Sequence, residues 1–420
     1  MEMYRKMKIC MFLDNPISRD PRVKGEAQAL AKAGHDVTVV GTMGKDTPAF
    51  EEWEGVKFER IDVTASSGAK TLAGIKALPA IFKGKDAFLA KCKTELVQST
   101  DKLYIKKVAG RGFDIFHAND LVMLPPAAKA AKAADAKLVY DSHEYFRMDY
   151  FTKGKSLPKA IEEHFKVLLE RQAKYIKEAD LVVTVCDNIA NAIKNDHSLA
   201  ETPLVIYNTA KLRERQRMNI LREEYLHTSD DRPIVLYQGM ISYGRGLEQF
   251  IGLAKGNPEA DFVIIGPSSK KAFYDKLVDE SKDLHNVYFL DPVPYEKLWQ
   301  ITVSADYGFT YLEPMNASYE MAAGNKLFEY LAAGLPIFTR GSMGTLEICG
   351  KIEECFGKEK QPLLVLPEKE EEQPAFIHGV ITSGDWQKFS DTAYEVAKTL
   401  FNQDLEFRKL TQAYAKLETK

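Results

Sequence analysis

The run Gly324-Asn325-Lys326-Leu327-Phe328-Glu329-Tyr330-Leu331-Ala332-Ala333-Gly334-Leu335-Pro336-Ile337 reads as a helix followed at once by a strand. Leu327, Phe328 and Leu331 recur at helical spacing and give one apolar face. Gly334 sits where a helix stops, and Pro336 cannot continue it. Lys326 falls in the first turn, where the positive end of the helix dipole disfavours a cation. That placement makes sense if an anion sits there as well. A helix N-terminus with an ammonium group is a phosphate site, and Glu329, one turn on, suits two hydroxyls of a ribose.

The rest of the chain frames that site. Its 420 residues give room for two domains of ordinary size, each with its own core. Apolar residues make up 45% and charged ones 28%, a globular rather than a disordered balance. A net charge of -3 carries no nucleic-acid signature. The five cysteines form no C-x-x-C pair and no metal-ligand spacing, which suits a reducing compartment. The first apolar run, Ile9 to Leu13, is too short for a signal-peptide core and ends in Asp14. No stretch approaches the roughly 20 apolar residues of a membrane span. The expectation is a cytoplasmic protein with no nucleic-acid partner and no metal.

Met7 to Leu13 reads as a first strand. Asp20 caps a helix with Pro21 in its first position, and that helix runs to about Ala33 and ends at Gly34. His35 to Gly41 is the next strand, completing a doubly wound α/β unit. Its loop lacks G-x-G-x-x-G, which argues against a nicotinamide or flavin site. Arg22 is a second cation at a helix start; a solvated surface arginine is the plainer alternative. Val56 to Ile61 is another strand. Thr64 to Gly112 then has helical character and is rich in lysine from Lys70 to Arg111, with apolar residues interleaved. Such a surface suits peripheral contact with an anionic membrane, and a solvated helical insertion explains it equally.

Phe113 to Phe116 reads as a strand ending in His117-Ala118-Asn119-Asp120, and Pro125-Pro126 as the opening of an alanine-rich helix. Lys137 to Tyr140 is a strand ending in Asp141-Ser142-His143-Glu144. Two consecutive strands thus deliver polar clusters at their carboxyl ends, where open α/β sheets bind ligands. His117 and His143 lack further ligand spacing, so no metal site is read. After strands at Ala179 to Val185 and Pro203 to Tyr207, a polar stretch from Asn208 to Arg232 marks a domain boundary.

Pro233 to Gly239 opens the second domain. Its loop Gly239-Met240-Ile241-Ser242-Tyr243-Gly244-Arg245-Gly246 offers glycines for close backbone approach to phosphate, and Arg245 to pair the oxygens. It is not a Walker loop, since no Lys-Ser/Thr follows. Strands at Asp261 to Ile265, Asn286 to Leu290, Asp306 to Tyr311 and Leu363 to Leu366 complete a second sheet, and Trp386 to Lys420 reads as helical. Arg22, Arg245 and Lys326, three cations at helix starts, point to a polyanionic ligand.

In this order and at these separations, several motifs carry a family resemblance over nearly the whole chain. They are Asp20-Pro21-Arg22-Val23, Ala33-Gly34-His35-Asp36-Val37, Phe113 to Asp120, Val139 to Glu144, Gly239 to Gly246 and Asn325 to Gly334. The chain resembles the retaining glycosyltransferases of family 4, with the GT-B fold. The resemblance implies α/β architecture with two Rossmann-like domains, of parallel sheets, facing a cleft. Residues 1–208 would be the acceptor domain and 209–402 the donor domain, with a C-terminal helix of about 403–420 packing back on the first.

It further implies a metal-independent transferase taking a UDP- or GDP-linked sugar as substrate, with no cofactor, and a saccharide or lipid-linked acceptor, in cell-surface polysaccharide or glycoconjugate synthesis. Glu329 would bind the ribose and Arg245 and Lys326 the diphosphate, with Gly239 and Asn325 lining the pocket. His117 would sit near the reacting sugar as the catalytic residue. Arg22, Asn119, Asp120, Asp141, His143 and Glu144 would face the acceptor. Two positions depart from the family pattern: Met321 stands where many members have an acid, with Glu320 beside it as a substitute, and Met240 stands where many have a base. A sugar-nucleotide epimerase or a phosphorylase on the same fold, and a non-catalytic sugar-nucleotide-binding protein, are the alternatives.

Overall fold

Val37-Thr38-Val39-Val40 and Leu138-Val139-Tyr140 are near-continuous apolar runs, the pattern of strands covered on both faces. In the computed structural model, which describes residues 5–18, 20–63, 85–152, 156–228 and 231–417, both form inner strands of a parallel sheet. The chain divides into two compact units. One runs up to Tyr207 and adds Asn316–Ser318 and the tail from Phe407; the other holds Asn208–Met315 and Tyr319–Glu406.

The first unit is built on β1 (Lys8–Phe12), β2 (Asp36–Thr42), β3 (Phe50–Trp53), β4 (Val56–Ile61), β5 (Ile115–Asn119), β6 (Lys137–Ser142), β7 (Leu181–Thr184) and β8 (Leu204–Val205). Their order is β3-β4-β2-β1-β5-β6-β7-β8. Every pairing is parallel except β3 with β4. The sequence reading missed β3 because all four of its residues are exposed, so no buried face marks it. The hairpin turn was the available signal: Glu54 and Gly55 both take positive φ, as a two-residue hairpin turn demands. Strand order reverses beside β1, so the carboxyl ends of β1 and β5 flank the switch point where such sheets bind ligands.

Two expectations change in this unit, and a third where the chain returns to it. β5 continues through His117 to Asn119, so His117 lies inside a strand rather than in a loop. The helix expected to open at Pro125-Pro126 instead spans Asp120–Ala134 with both prolines inside it. Leu121, Met123 and Leu124 are buried on its first turns, and that packing outweighs the backbone bonds the prolines forgo. The C-terminal helix is not continuous: it breaks between Trp386–Thr399 and Gln403–Leu417, where the Asn402 side chain accepts from the Leu405 amide at 3.1 Å. Leu410, Tyr414 and Leu417 from the second piece join Ile9, Met11, Val37, Ile115 and Val139 in the core of the first unit.

The second unit carries β9 (Ile234–Gln238), β10 (Asp261–Ile265), β11 (Val287–Leu290), β12 (Tyr307–Thr310), β13 (Ile337–Thr339) and β14 (Leu363–Val365), in the order β11-β10-β9-β12-β13-β14 and all parallel. Its switch point lies between β9 and β12. Phe250, Phe262 and Phe309 pack in the middle of the core, with ring centroids 4.8–5.1 Å apart. The segment entering this unit is not loose. Arg213 lies over Trp299 at 5.1 Å, Arg215 over Tyr394 at 6.0 Å and Arg217 over Trp386 at 4.7 Å.

Candidate functional site

In the second unit, the opening motif folds as expected. Asn325–Ala332 is a helix with Gly324 as an extended N-cap and no side-chain cap; the Leu327 amide donates to the Gly324 carbonyl at 3.0 Å, and the Asn325 and Lys326 amides are left to other partners. Asn325 is exposed at the first position. Lys326 turns back over β9 and packs against Gly239. A Cβ built on Gly239 would stand 2.3 Å from Lys326 Cε, and Gly239 has φ +127°, so only glycine fits. The Lys326 ammonium lies 5.3 Å from the centre of the Tyr237 ring and donates no hydrogen bond to a described residue. Burial, with Arg245 adding repulsion, pulls its pKa down to about 8 against the pull of Glu329.

Arg245 stands at the end of the glycine-rich loop. Its guanidinium lies over the Tyr319 ring at 5.1 Å, and its buried Nε has no partner. Not all of this loop's glycines leave room for a ligand. At Gly246 a Cβ would stand 2.5 Å from Tyr311 Cβ and 2.7 Å from its ring, so close approach there is to the protein itself. Glu329 is half-buried and accepts from Gln238 Nε2 at 2.6 Å. Burial raises its pKa, while Gln238 and Lys326 oppose that. The structure therefore brings Gly239, Arg245, Lys326 and Glu329 to the carboxyl end of β9. A cavity adjoins Glu329, lined also by Gln238, Thr302, Leu298 and Trp299.

Glu320, expected at the donor, already has partners within the fold. One of its oxygens accepts from Arg340 at 2.7 Å and the other from the Met343 amide at 3.2 Å, at the start of the helix Met343–Phe356. A carboxylate at a helix N-terminus beside a guanidinium already has its complement. Met240 is 44% exposed, and no basic side chain takes its place in the loop.

In the first unit, the residues assigned to the acceptor form a buried charge network. Arg22 Nε and Nη2 donate to Asp141 at 2.9–3.1 Å, and Nη1 donates to the Ile206 carbonyl at 2.8 Å. Arg22 Nε also stands 3.1 Å from Glu26 Oε1. Arg22 is thus neither a solvated arginine nor a cation awaiting an anionic ligand: its charge is met within the fold. Asp141 meets His143 Nε2 at 3.2 Å, and Asp120 accepts from the His143 amide at 3.0 Å. Burial works against the charged imidazole, but Asp120 and Asp141 overcome it and raise the His143 pKa well above its usual value. Burial pushes Asp141 up too; Arg22, then His143, outweigh it and hold the carboxyl well below the usual range.

His117 and Asn119 have no exposed surface. His117 Nδ1 lies 2.6 Å from the Tyr414 hydroxyl, and its Nε2 has no partner. Burial lowers the His117 pKa to about 4, so the ring is neutral. Asn119 Nδ2 donates to the Phe12 carbonyl at 3.0 Å. As placed, His117 has no surface to touch a sugar, because β5 carries it inward two residues before the strand ends. Asp120, His143 and Glu144 keep accessible atoms. Among the described residues, Glu26, His117 and Asp141 are the one group whose ligand atoms approach within 4.8 Å. The Arg22 guanidinium already sits against both carboxylates, where a metal cation would have to go.

Residues 20–209 match the family profile of the glycosyl transferase 4-like domain. That matched stretch holds the whole Arg22–Glu26–His117–Asp141 network. No curated protein matches the chain. Three solved structures are similar along nearly its whole length. The sucrose-phosphate synthase of Thermosynechococcus elongatus superposes with a TM-score of 0.75 at 15% identity, covering 99% of this chain and 100% of that one. HepE of Anabaena, solved with UDP, gives 0.67 at 14% identity over 98% and 100%. A glycosyltransferase of Rickettsia africae gives 0.66 at 13% identity over 99% of each. These likenesses establish the GT-B glycosyltransferase fold.

Beyond its motifs, the chain uses residues that the sequence alone does not single out. Glu26 was detectable, since it lies at i+4 from Arg22 on one helix face. Tyr414, Gln238 and Thr302 had no local signal; sheet order and the returning C-terminal helix bring them in. The membrane reading is only partly visible. Lys70, Lys76 and Lys83 lie outside the described residues, and Lys107 and Arg111 pair with Glu59 at 3.1 and 2.7 Å. No helix among the described residues is long and apolar enough to cross a membrane.

Proposed function

We propose that this protein is a retaining, metal-independent glycosyltransferase that moves a sugar from a nucleotide-sugar donor to a saccharide or lipid-linked acceptor. One observation carries the reading: Lys326 and Arg245 converge on the end of β9 with open donors and no carboxylate bonded to either. Two unpaired cations beside uncapped helix amides cost stability unless an anion joins them. A diphosphate fits that charge. Glu329, one turn along the helix, accepts the ribose hydroxyls, and the cavity beside Leu298 and Trp299 receives the base.

Negative charge develops on the diphosphate as the glycosidic bond breaks. Fixed cations and backbone amides stabilise it most where water is excluded. The leaving phosphate takes the acceptor's proton, so no paired carboxylates of the glycosidase kind are required. Asp120, His143 and Glu144 supply polar atoms for the acceptor, over a floor fixed by Arg22, Asp141 and His117. HepE has been solved with UDP and with UDP-glucose, which supports a UDP-linked donor here. Contact of the lysine-rich stretch with an anionic membrane belongs to the same proposal, and salt-sensitive flotation with anionic vesicles tests it.

The decisive experiment is isothermal titration of UDP, GDP, ADP and CMP, followed by transfer assays with the sugar nucleotide of the base that binds. Glu329→Ala and Arg245→Ala should abolish binding or transfer with the fold intact by circular dichroism. Undiminished turnover by both variants, or no nucleotide bound by the native protein, would overturn the assignment.

A further inference from the structure

Glu329 does not hold its carboxylate alone. Thr302 Oγ1 lies 2.7 Å from Gln238 Oε1 and 2.8 Å from the Leu298 carbonyl, with one proton to share between them, and Gln238 Nε2 donates to Glu329 Oε2 at 2.6 Å. The three side chains come from three elements: the end of the helix Tyr295–Thr302, the last residue of β9, and the helix Asn325–Ala332. Gln238 and Thr302 are each 2% exposed. An ionised carboxylate can only accept, so the amide nitrogen must face Glu329 and the amide oxygen must face the hydroxyl. A flipped amide would set oxygen against oxygen. The carboxylate thus sets which way the Gln238 amide faces, Thr302 meets the amide oxygen on the far side, and Gln238 in turn holds the carboxylate.

The backbone is tied at the same place. Tyr330, next to Glu329, accepts from the Gln238 amide at 3.0 Å and donates to the Leu236 carbonyl at 2.9 Å. The strand end and the helix are therefore registered on both sides of Glu329. All three relay residues border one cavity, beside Leu298 and Trp299. Only Oε2 of Glu329 is used by the relay; Oε1 is bonded to no described residue.

We propose that Gln238 and Thr302 are positioning residues, which hold the Glu329 carboxylate in the orientation that selects a ribose with both hydroxyls. This rests on the reading of Glu329 as the ribose-binding group. Neither residue touches the substrate's reacting atoms. Their contribution is to remove the rotamer freedom that Glu329 would otherwise lose on binding.

The test compares UDP with 2′,3′-dideoxy-UDP by titration calorimetry, and the GDP and ADP pairs in the same way. The native protein should prefer the ribose form by about tenfold or more, the usual weight of a charge-assisted hydrogen bond. Gln238→Met keeps length and removes the donor. It should reduce that preference to about threefold or less, with dideoxy affinity unchanged, because only the route through Glu329 is lost. Thr302→Val should show a smaller loss of the same kind, and Thr302→Ser should restore the native preference.

A Gln238→Met protein that keeps the full ribose preference would overturn the proposal. So would equal weakening of both nucleotides, which is the mark of a merely structural role. Thr302→Val and Thr302→Ser give the same decision if Gln238→Met does not fold. A native protein with no ribose preference, or one that binds none of the nucleotides, would instead sink the reading of Glu329, and the proposal with it.

Discussion

The Tyr414 hydroxyl lies 2.6 Å from His117 Nδ1, joining residues 297 apart in sequence. One stands on the returning C-terminal helix and the other within β5. Both are fully buried, so the bond is formed without competing water. Tyr414→Phe would leave a buried imidazole nitrogen unpaired, at a cost of about 1–3 kcal/mol. The expected result is a lower denaturant midpoint with an unchanged slope. A variant as stable as the native protein would show that the ring nitrogen finds another partner.

The two carboxylates around Arg22 should respond differently to neutralisation. Asp141 is ionised and bidentate to Arg22, so Asp141→Asn leaves a buried guanidinium uncompensated, and about 3–5 kcal/mol of lost stability is expected. Burial raises Glu26 to about 8, although Arg22 opposes it, so Glu26 carries a proton at neutral pH. A carboxyl whose folded pKa lies above its free value favours folding at low pH. That advantage drains away as pH rises from the free value of 4.5 towards about 8. Glu26→Gln should therefore gain on the native protein in thermal midpoint between pH 5 and pH 8. A constant difference across that window would show that Glu26 is ionised throughout.

Lys326 gives nucleotide binding a pH signature. Its folded pKa of about 8 lies below its free value of 10.5. A base shifted down destabilises the fold below about pH 8, and that cost is relieved as pH rises towards 10.5. A bound diphosphate favours the ammonium and raises the pKa again. Binding near pH 9 should then take up a proton, seen as a dependence of the calorimetric heat on buffer ionisation enthalpy. Affinity should fall as pH rises through about 8, and Lys326→Met should remove the dependence.

Gly239 separates fold from function. Its missing Cβ is the space occupied by the end of the Lys326 side chain. Gly239→Ala must displace the ammonium and strain a residue at φ +127°. Nucleotide affinity is expected to fall at least about tenfold, equal to about 1.4 kcal/mol. Direct titration checks this, and native affinity in the alanine variant would place the diphosphate elsewhere.

The elements that repay reading in sequence are those whose signals are local. Asp20 accepts from the Val23 amide as an N-cap should, and the helix from Pro21 follows. The helix carrying Glu329 and the strand after it are equally plain, since apolar spacing, Gly334 and Pro336 lie within one short run. Arg22 shows the limit. Its place in the first turn is legible, yet its meaning is set by Asp141, 119 residues away on a strand whose neighbours are known only once the sheet is assembled. The relay on Glu329 fails to announce itself for the same reason. Gln238 is one apolar-looking strand's last residue, and Thr302 is one helix's, until β9 is placed beside β12.

The stacking of Arg213, Arg215 and Arg217 on Trp299, Tyr394 and Trp386 has a consequence for how this segment can change in length. Each arginine lies two residues from the next, so an extended backbone presents all three on one side. Deleting or inserting a single residue between them would turn part of the set over, exposing aromatic faces and leaving guanidinium groups with nothing beneath them. A change of two residues would keep them in phase. Evolution and engineering alike can alter this stretch by even steps, while odd ones unzip it.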